Sequence, residues 1–169
     1  MEISYELTFY DYWNFNKFSI FHSPKIRNIN FVLFLVFTVI IIQRIMKNPS
    51  DTLGANLFSF LFQIIVFALL YYFILWSQAL YVSKKSNILG DQTVTISEDG
   101  IIENTSFSKS FFKWHGIKYI KFNKLYFFIF LTDSTGIIIP KRAFTSDVES
   151  DNFLYTAKAF YNKSKVIES

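Results

Sequence analysis

Few residues in this chain are of types that do chemistry, and their spacing does not assemble them. The two histidines, His22 and His115, have no HxxxH partner and the chain has no cysteine. A zinc site would therefore have to draw on scattered acids. The lack of cysteine also removes thiolate nucleophiles, disulfides and iron–sulfur clusters. Five glycines form neither GxGxxG nor GxxxxGK[ST], so no backbone cradle for a dinucleotide or a P-loop phosphate is encoded. Asp99, Glu103, Asp133 and Asp151 fall in turns, a hairpin strand or a helix start, where each has a local structural explanation. A hydrolase needs a convergent carboxylate pair, and the spacing presents none. The expectation is a protein that is not an enzyme, with no catalytic, metal-binding or cofactor-binding residues.

The one charge feature worth following is basic. From residue 84 onward there are 12 Lys plus Arg against 9 acids. No acid occurs between Glu103 and Asp133, a stretch that holds Lys109, Lys113, Lys118, Lys121 and Lys124. Near an anionic cytoplasmic leaflet each such lysine adds about 1 kcal/mol of attraction, which makes these five the candidate contacts to lipid headgroups or a partner. The alternative is a solvated strand face whose lysines protect an edge from aggregation. Nucleic-acid binding calls for exposed stacking aromatics, whereas core and bilayer account for the aromatics here.

A chain of 169 residues that is 51% hydrophobic and 21% aromatic excludes disorder and leaves room for one small domain plus an anchor. Glu2 and Glu6 follow Met1 where a secretory signal would carry positive charge, so no cleaved export signal is expected. The apolar residues are concentrated. Between Arg27 and Arg44 lie 16 uncharged residues, and residues 52–83 are 32 without a charge. Spans are expected at about 27–46 and 55–82, with Trp76, Tyr71, Tyr72 and Tyr81 at the headgroup level and the charges of Arg27 and Arg44 snorkelling to the interface. The linker RIMKNPSDTLGAN is rich in turn formers, so the pair reads as a there-and-back hairpin. Lys17, Lys25, Arg27, Lys84 and Lys85 flank it, against Arg44 and Lys47 in the loop, which argues for both termini in the cytoplasm. No Asp, Glu, Lys or His lies deep in either span, and Thr38 and Gln63 are expected to bond between helices or to their own backbone.

The hairpin interrupts a mixed domain. Residues 2–8 alternate Ile3, Tyr5 and Leu7 with polar residues, the period of a half-buried strand. Thr8 with Asp11 starts a short helix to about residue 21, whose aromatics sit either in the membrane interface or against the domain. After residue 84 come short strands: TVTIS, an Asp99-Gly100 hairpin turn read as needing positive φ at Gly, IIENTS, a strand near 111–114, IKYIKF, LYFFIFLT and GIIIP. Ser146 with Glu149 forms a capping box for a final helix, 147–163, with Phe153, Leu154, Ala157, Phe160 and Tyr161 on one side. The sum is an α+β membrane protein: residues 1–26 join the C-terminal domain, 27–82 form the transmembrane hairpin, and 83–169 form a small antiparallel barrel or sheet capped by a helix. The N-terminal strand is expected to supply the sheet's missing edge partner.

This order of elements resembles the YcxB-like family of small bacterial membrane proteins. The local likeness lies in Thr93-Val94-Thr95-Ile96-Ser97-Glu98-Asp99-Gly100-Ile101, Phe112-Lys113-Trp114 with Ile117 and Ile120, the segment Ile137 to Phe144, and Glu149 with Phe153. The resemblance implies a C-terminal domain similar to bacterial pleckstrin-homology-like domains, a seven-stranded helix-capped barrel, and brings no catalytic residues with it. The expected function is a non-enzymatic scaffold or regulator in the bacterial inner membrane that binds a protein partner or lipid headgroups. The rivals are an immunity-type protein against a membrane-active toxin and a lipid-acting membrane enzyme.

Overall fold

Alternation of apolar and polar residues gives β1 (Glu2–Leu7), with Ile3, Tyr5 and Leu7 buried and the intervening residues exposed. The computed structural model describes residues 1–22, 24–47, 53–85 and 88–166. α1 (Phe9–His22) follows at once, because Thr8 and Asp11 close a reciprocal cap: Thr8 N–H and Oγ1 donate to Asp11 Oδ2 at 2.8 and 2.7 Å. α2 (Pro24–Lys47) and α3 (Leu53–Lys85) carry the two apolar stretches. The turn read at residues 48–52 lies outside the described residues. The β-rich part then runs β2 (Gly90–Ile96), β3 (Gly100–Thr105), β4 (Lys109–Lys113), β5 (Tyr119–Phe122), β6 (Tyr126–Phe130), β7 (Gly136–Pro140) and α4 (Asp147–Val166).

β1 pairs antiparallel with β2, from Glu2 opposite Thr95 to Leu7 opposite Gly90, so the chain's first strand completes a sheet made 90 residues later. The strands divide into a four-stranded sheet, β1-β2-β3-β4, and a three-stranded sheet, β5-β6-β7. The expected closed barrel does not form. Between β4 and β5 a 3₁₀ turn, Trp114–Gly116, carries the chain from one sheet to the other. Trp114 is buried there, its indole N–H donating to the Ser97 carbonyl at 2.8 Å, and Ile117 is fully buried. At the other seam Tyr5 donates its hydroxyl to the Ile138 carbonyl at 2.6 Å, so a side chain bridges β1 and β7 where a closed barrel would have a ladder.

Every residue of β6 is buried, because both its faces are covered. Phe128 and Phe130 meet Phe15 of α1, at 5.6 and 5.1 Å between ring centroids. Phe127 meets Phe153 of α4 at 6.1 Å. α4 buries Phe153 and Ala157 and sets Phe160 against Trp114, the stripe its sequence requires. Its cap departs in one detail from the expected box: Glu149 N–H donates to Ser146 Oγ, but the Glu149 carboxylate accepts from Thr145 N–H and Oγ1 instead of the Ser146 amide.

Gly100 corrects the reading of its turn. Only Gly90 has positive φ among the described glycines, at 112°. Gly100 is required for space: a Cβ there would stand 2.3 Å from the Phe112 carbonyl oxygen and 2.9 Å from the Phe111 ring.

α2 and α3 run antiparallel, touching through Tyr71 Oη donating to Asn30 Oδ1 at 2.8 Å and through Phe37 stacked on Phe67 at 4.5 Å. Thr38 donates to the Phe34 carbonyl of its own helix, and Gln63 to Ser59 one turn back. Among the described residues one helix, Gly54–Lys84, is long and apolar enough to cross a membrane, and none of its most apolar window is buried. The apolar part of α2, Asn28–Arg44, is shorter and covers roughly 25 Å against a hydrocarbon core of about 30 Å. α1 holds the domain to this pair: Phe15 and Phe18 face β6, and Trp13 meets Tyr72 of α3 edge-on at 5.4 Å.

Candidate functional site

The five lysines singled out by charge occupy two sheets and a turn. Lys109 and Lys113 alternate with the half-exposed Phe111 along the outer face of β4. Lys121 is exposed on β5, Lys118 just before it, and Lys124 in the β5–β6 turn. The gap in acids that defined this stretch closes in three dimensions, since Lys118 Nζ lies 2.6 Å from Asp133 Oδ2. The other four make no ion pair among the described residues. His115 is exposed in the 3₁₀ turn, and its carbonyl accepts from Lys165. His22 stacks on Phe18 at 3.8 Å and places Nδ1 3.0 Å from the Phe18 carbonyl.

A polar node that the charge pattern did not reveal lies where β1 meets α1. The Asp11 side chain has no exposed surface. Arg142, on the turn after β7, clamps it with both arms: Nη1 to Oδ1 and Nη2 to Oδ2, each 2.6 Å. Arg142 Nη2 also donates to the Glu6 carbonyl at 3.0 Å, and Tyr126 Oη donates to Asp11 Oδ1 at 2.8 Å. Burial opposes ionisation of Asp11. The hydrogen bonds from Arg142, Thr8 and Tyr126 outweigh it and hold the carboxyl at about 2. With every acceptor position on the carboxylate in use, this is a structural lock joining three parts of the fold, and it offers nothing to a substrate.

The open seam between the sheets makes a different arrangement. Glu103 was read as an ordinary hairpin-strand residue, yet its parity with Ile101 turns it toward the inner face of β3. Gln92 on β2 is its diagonal neighbour, since Val94 stands opposite Glu103 and Gln92 opposite Thr105. Both line a cavity of about 110 Å³ bounded by Leu7, Phe15, Ile88 and Ile138. Gln92 is 4% exposed, and its Nε2 donates to the Ile88 carbonyl at 2.8 Å, which identifies Oε1 as the acceptor left without a partner. The Glu103 side chain makes no hydrogen bond or ion pair among the described residues, and burial pushes its carboxyl up. Tyr5, opposite Gln92, is pushed up by burial and then by the Glu103 and Asp11 charges, and stays a neutral donor to Ile138. Tyr12 and Ser134 separate this cavity from a larger one of about 380 Å³ beneath α1, where Asn16, Ser19, Asn30 and Tyr71 supply polar groups beside Leu33 and Ile74 of the helix pair.

Among the described residues no three His, Cys, Asp or Glu side chains stand close enough to hold a metal ion. Comparison with known proteins matches no curated protein and no solved structure. A family does match, over the strands and helix whose packing has just been described: residues 96–156, from the end of β2 to the middle of α4, are similar to the family model of the YcxB-like protein.

Proposed function

We propose that this chain is an integral protein of the bacterial inner membrane, with α2 and α3 as a transmembrane hairpin and both termini in the cytoplasm. Its pleckstrin-homology-like β domain is a non-enzymatic binding module held at the bilayer surface, a scaffold or regulator for a protein partner or lipid headgroups. The observation that carries this reading is a 31-residue helix, Gly54–Lys84, whose most apolar window has no buried residue. Phe58, Leu69 and Phe73 on it are each more than half exposed. Leaving such a surface in water costs about 25 cal/mol for every Å², so it calls for lipid. α1 supports the same reading by fixing the domain to the base of the pair through Trp13 and Tyr72. Lys109, Lys113, Lys121 and Lys124 are then the cations available to an anionic leaflet.

The test is extraction combined with topology mapping. Membranes washed with carbonate should retain the protein, and reporters should place both termini in the cytoplasm and a tag near Ser50 on the opposite side. Release by carbonate, or a Ser50 tag in the same compartment as the termini, would overturn the anchor. Liposome flotation with and without anionic lipid, beside pull-down from detergent extract, tests the binding role. A measured turnover with neither lipid preference nor partner would count against it.

A further inference from the structure

The seam between the two sheets sets two acceptors side by side, and no hydrogen bond from the described residues reaches either of them. Glu103 presents a carboxylate and Gln92 a buried carbonyl oxygen to one small cavity, whose other polar lining, Tyr12, Ser134 and Thr135, carries hydroxyls and no charge. Gln92 Oε1 forfeits its bond to water there, a cost that a ligand can relieve, and the half-buried Glu103 beside it supplies the charge. What satisfies both at once is a cation with several N–H bonds. We infer that this cavity binds an ammonium group, R–NH3⁺, which donates to the Glu103 carboxylate and to Gln92 Oε1 while its short hydrocarbon part rests on Leu7, Phe15 and Ile138. The inference deepens the binding role proposed above by naming a ligand class.

Volume sets the size. A cavity of about 110 Å³ admits a small alkylammonium group, not a whole lipid. Two sources carry that chemistry: a free alkylamine from the cytoplasm, and an amine-bearing lipid headgroup that enters past Tyr12 and Ser134 from the larger cavity next to the helix pair. In that larger cavity Ser19 is also buried with its hydroxyl unpartnered, a second polar group facing the lipid route.

The full chain in detergent, titrated with ethanolamine and with ethylammonium, should shift its melting temperature upward and move the Gln92 side-chain amide resonance. Choline, which has no N–H, should do neither. Glu103→Gln keeps the shape and removes the charge, so it should fold and bind roughly tenfold to a hundredfold more weakly. Gln92→Leu should weaken binding less. In nanodiscs, selective retention of phosphatidylethanolamine over phosphatidylcholine, lost in Glu103→Gln, identifies the lipid as the source. A response to free amine without lipid preference identifies the soluble one. The site is refuted if the wild type ignores both forms, or if Glu103→Gln binds them equally well. Insertion into nanodiscs without any amine response overturns only this site, whereas amine binding by a protein that carbonate releases overturns only the anchor.

Discussion

At the scale of single residues, Asp11 shows how much one side chain can tie together. Its carboxyl is held at about 2, below the ordinary value of 3.8. A folded value below the unfolded one means stability that is present above about pH 4 and is lost as the pH falls toward 2. Allowing for solvent around the half-exposed Arg142, the contribution is on the order of 1–2 kcal/mol. Thermal melts between pH 6 and 2 should show this loss, and Asp11→Asn should flatten the same part of the curve. Arg142→Met should be the worse change at pH 7, by about 3–5 kcal/mol, since it strands a buried carboxylate. Adding Asp11→Asn to it should recover part of that loss, a non-additivity that chemical denaturation of the four-member cycle measures.

At the scale of elements, close approach of strands and the docking of α1 decide the outcome. Gly100→Ala forces its methyl group into the β4 backbone at Phe112, and a cost of about 1–3 kcal/mol is expected. Gly54→Ala, where nothing lies within 4 Å, should be neutral or slightly stabilising in the same assay. The Trp13–Tyr72 contact joins the domain to α3. A double-mutant cycle to Ala should give a coupling of about 0.5–1.5 kcal/mol in detergent. Limited proteolysis should cut sooner at the α1 boundary in Trp13→Ala, reporting a loosened domain.

At the scale of the whole molecule, the fold is completed by a strand that the helix pair separates from its partner by more than 80 residues. Deleting residues 2–7 bares the edge of β2 and uncovers Val94 and Ile96, which pair with or pack beside β1. The expected result is aggregation on size-exclusion chromatography, with loss of the cooperative melt. The same topology leaves the seam between the sheets open at Glu103 and Gln92, since a ladder closing β1 onto β7 would take the place of that cavity.

What could be read in the amino-acid order was what depends on neighbours along the chain. The alternation of Ile3, Tyr5 and Leu7, the Thr8-Asp11 and Ser146-Glu149 helix starts, the Phe153–Ala157 stripe and the two uncharged stretches are all local periodicities, and the elements lie where those periodicities put them. Tertiary structure alone decided the contacts between distant segments. It split seven strands into two sheets, with Trp114 and Ile117 buried where the chain crosses from one to the other. It brought Arg142 onto Asp11 across 131 positions and Asp133 back onto Lys118. It also set Gln92 beside Glu103, a juxtaposition fixed by the register between β2 and β3, which the parity of Glu103 with Ile101 within β3 does not by itself encode.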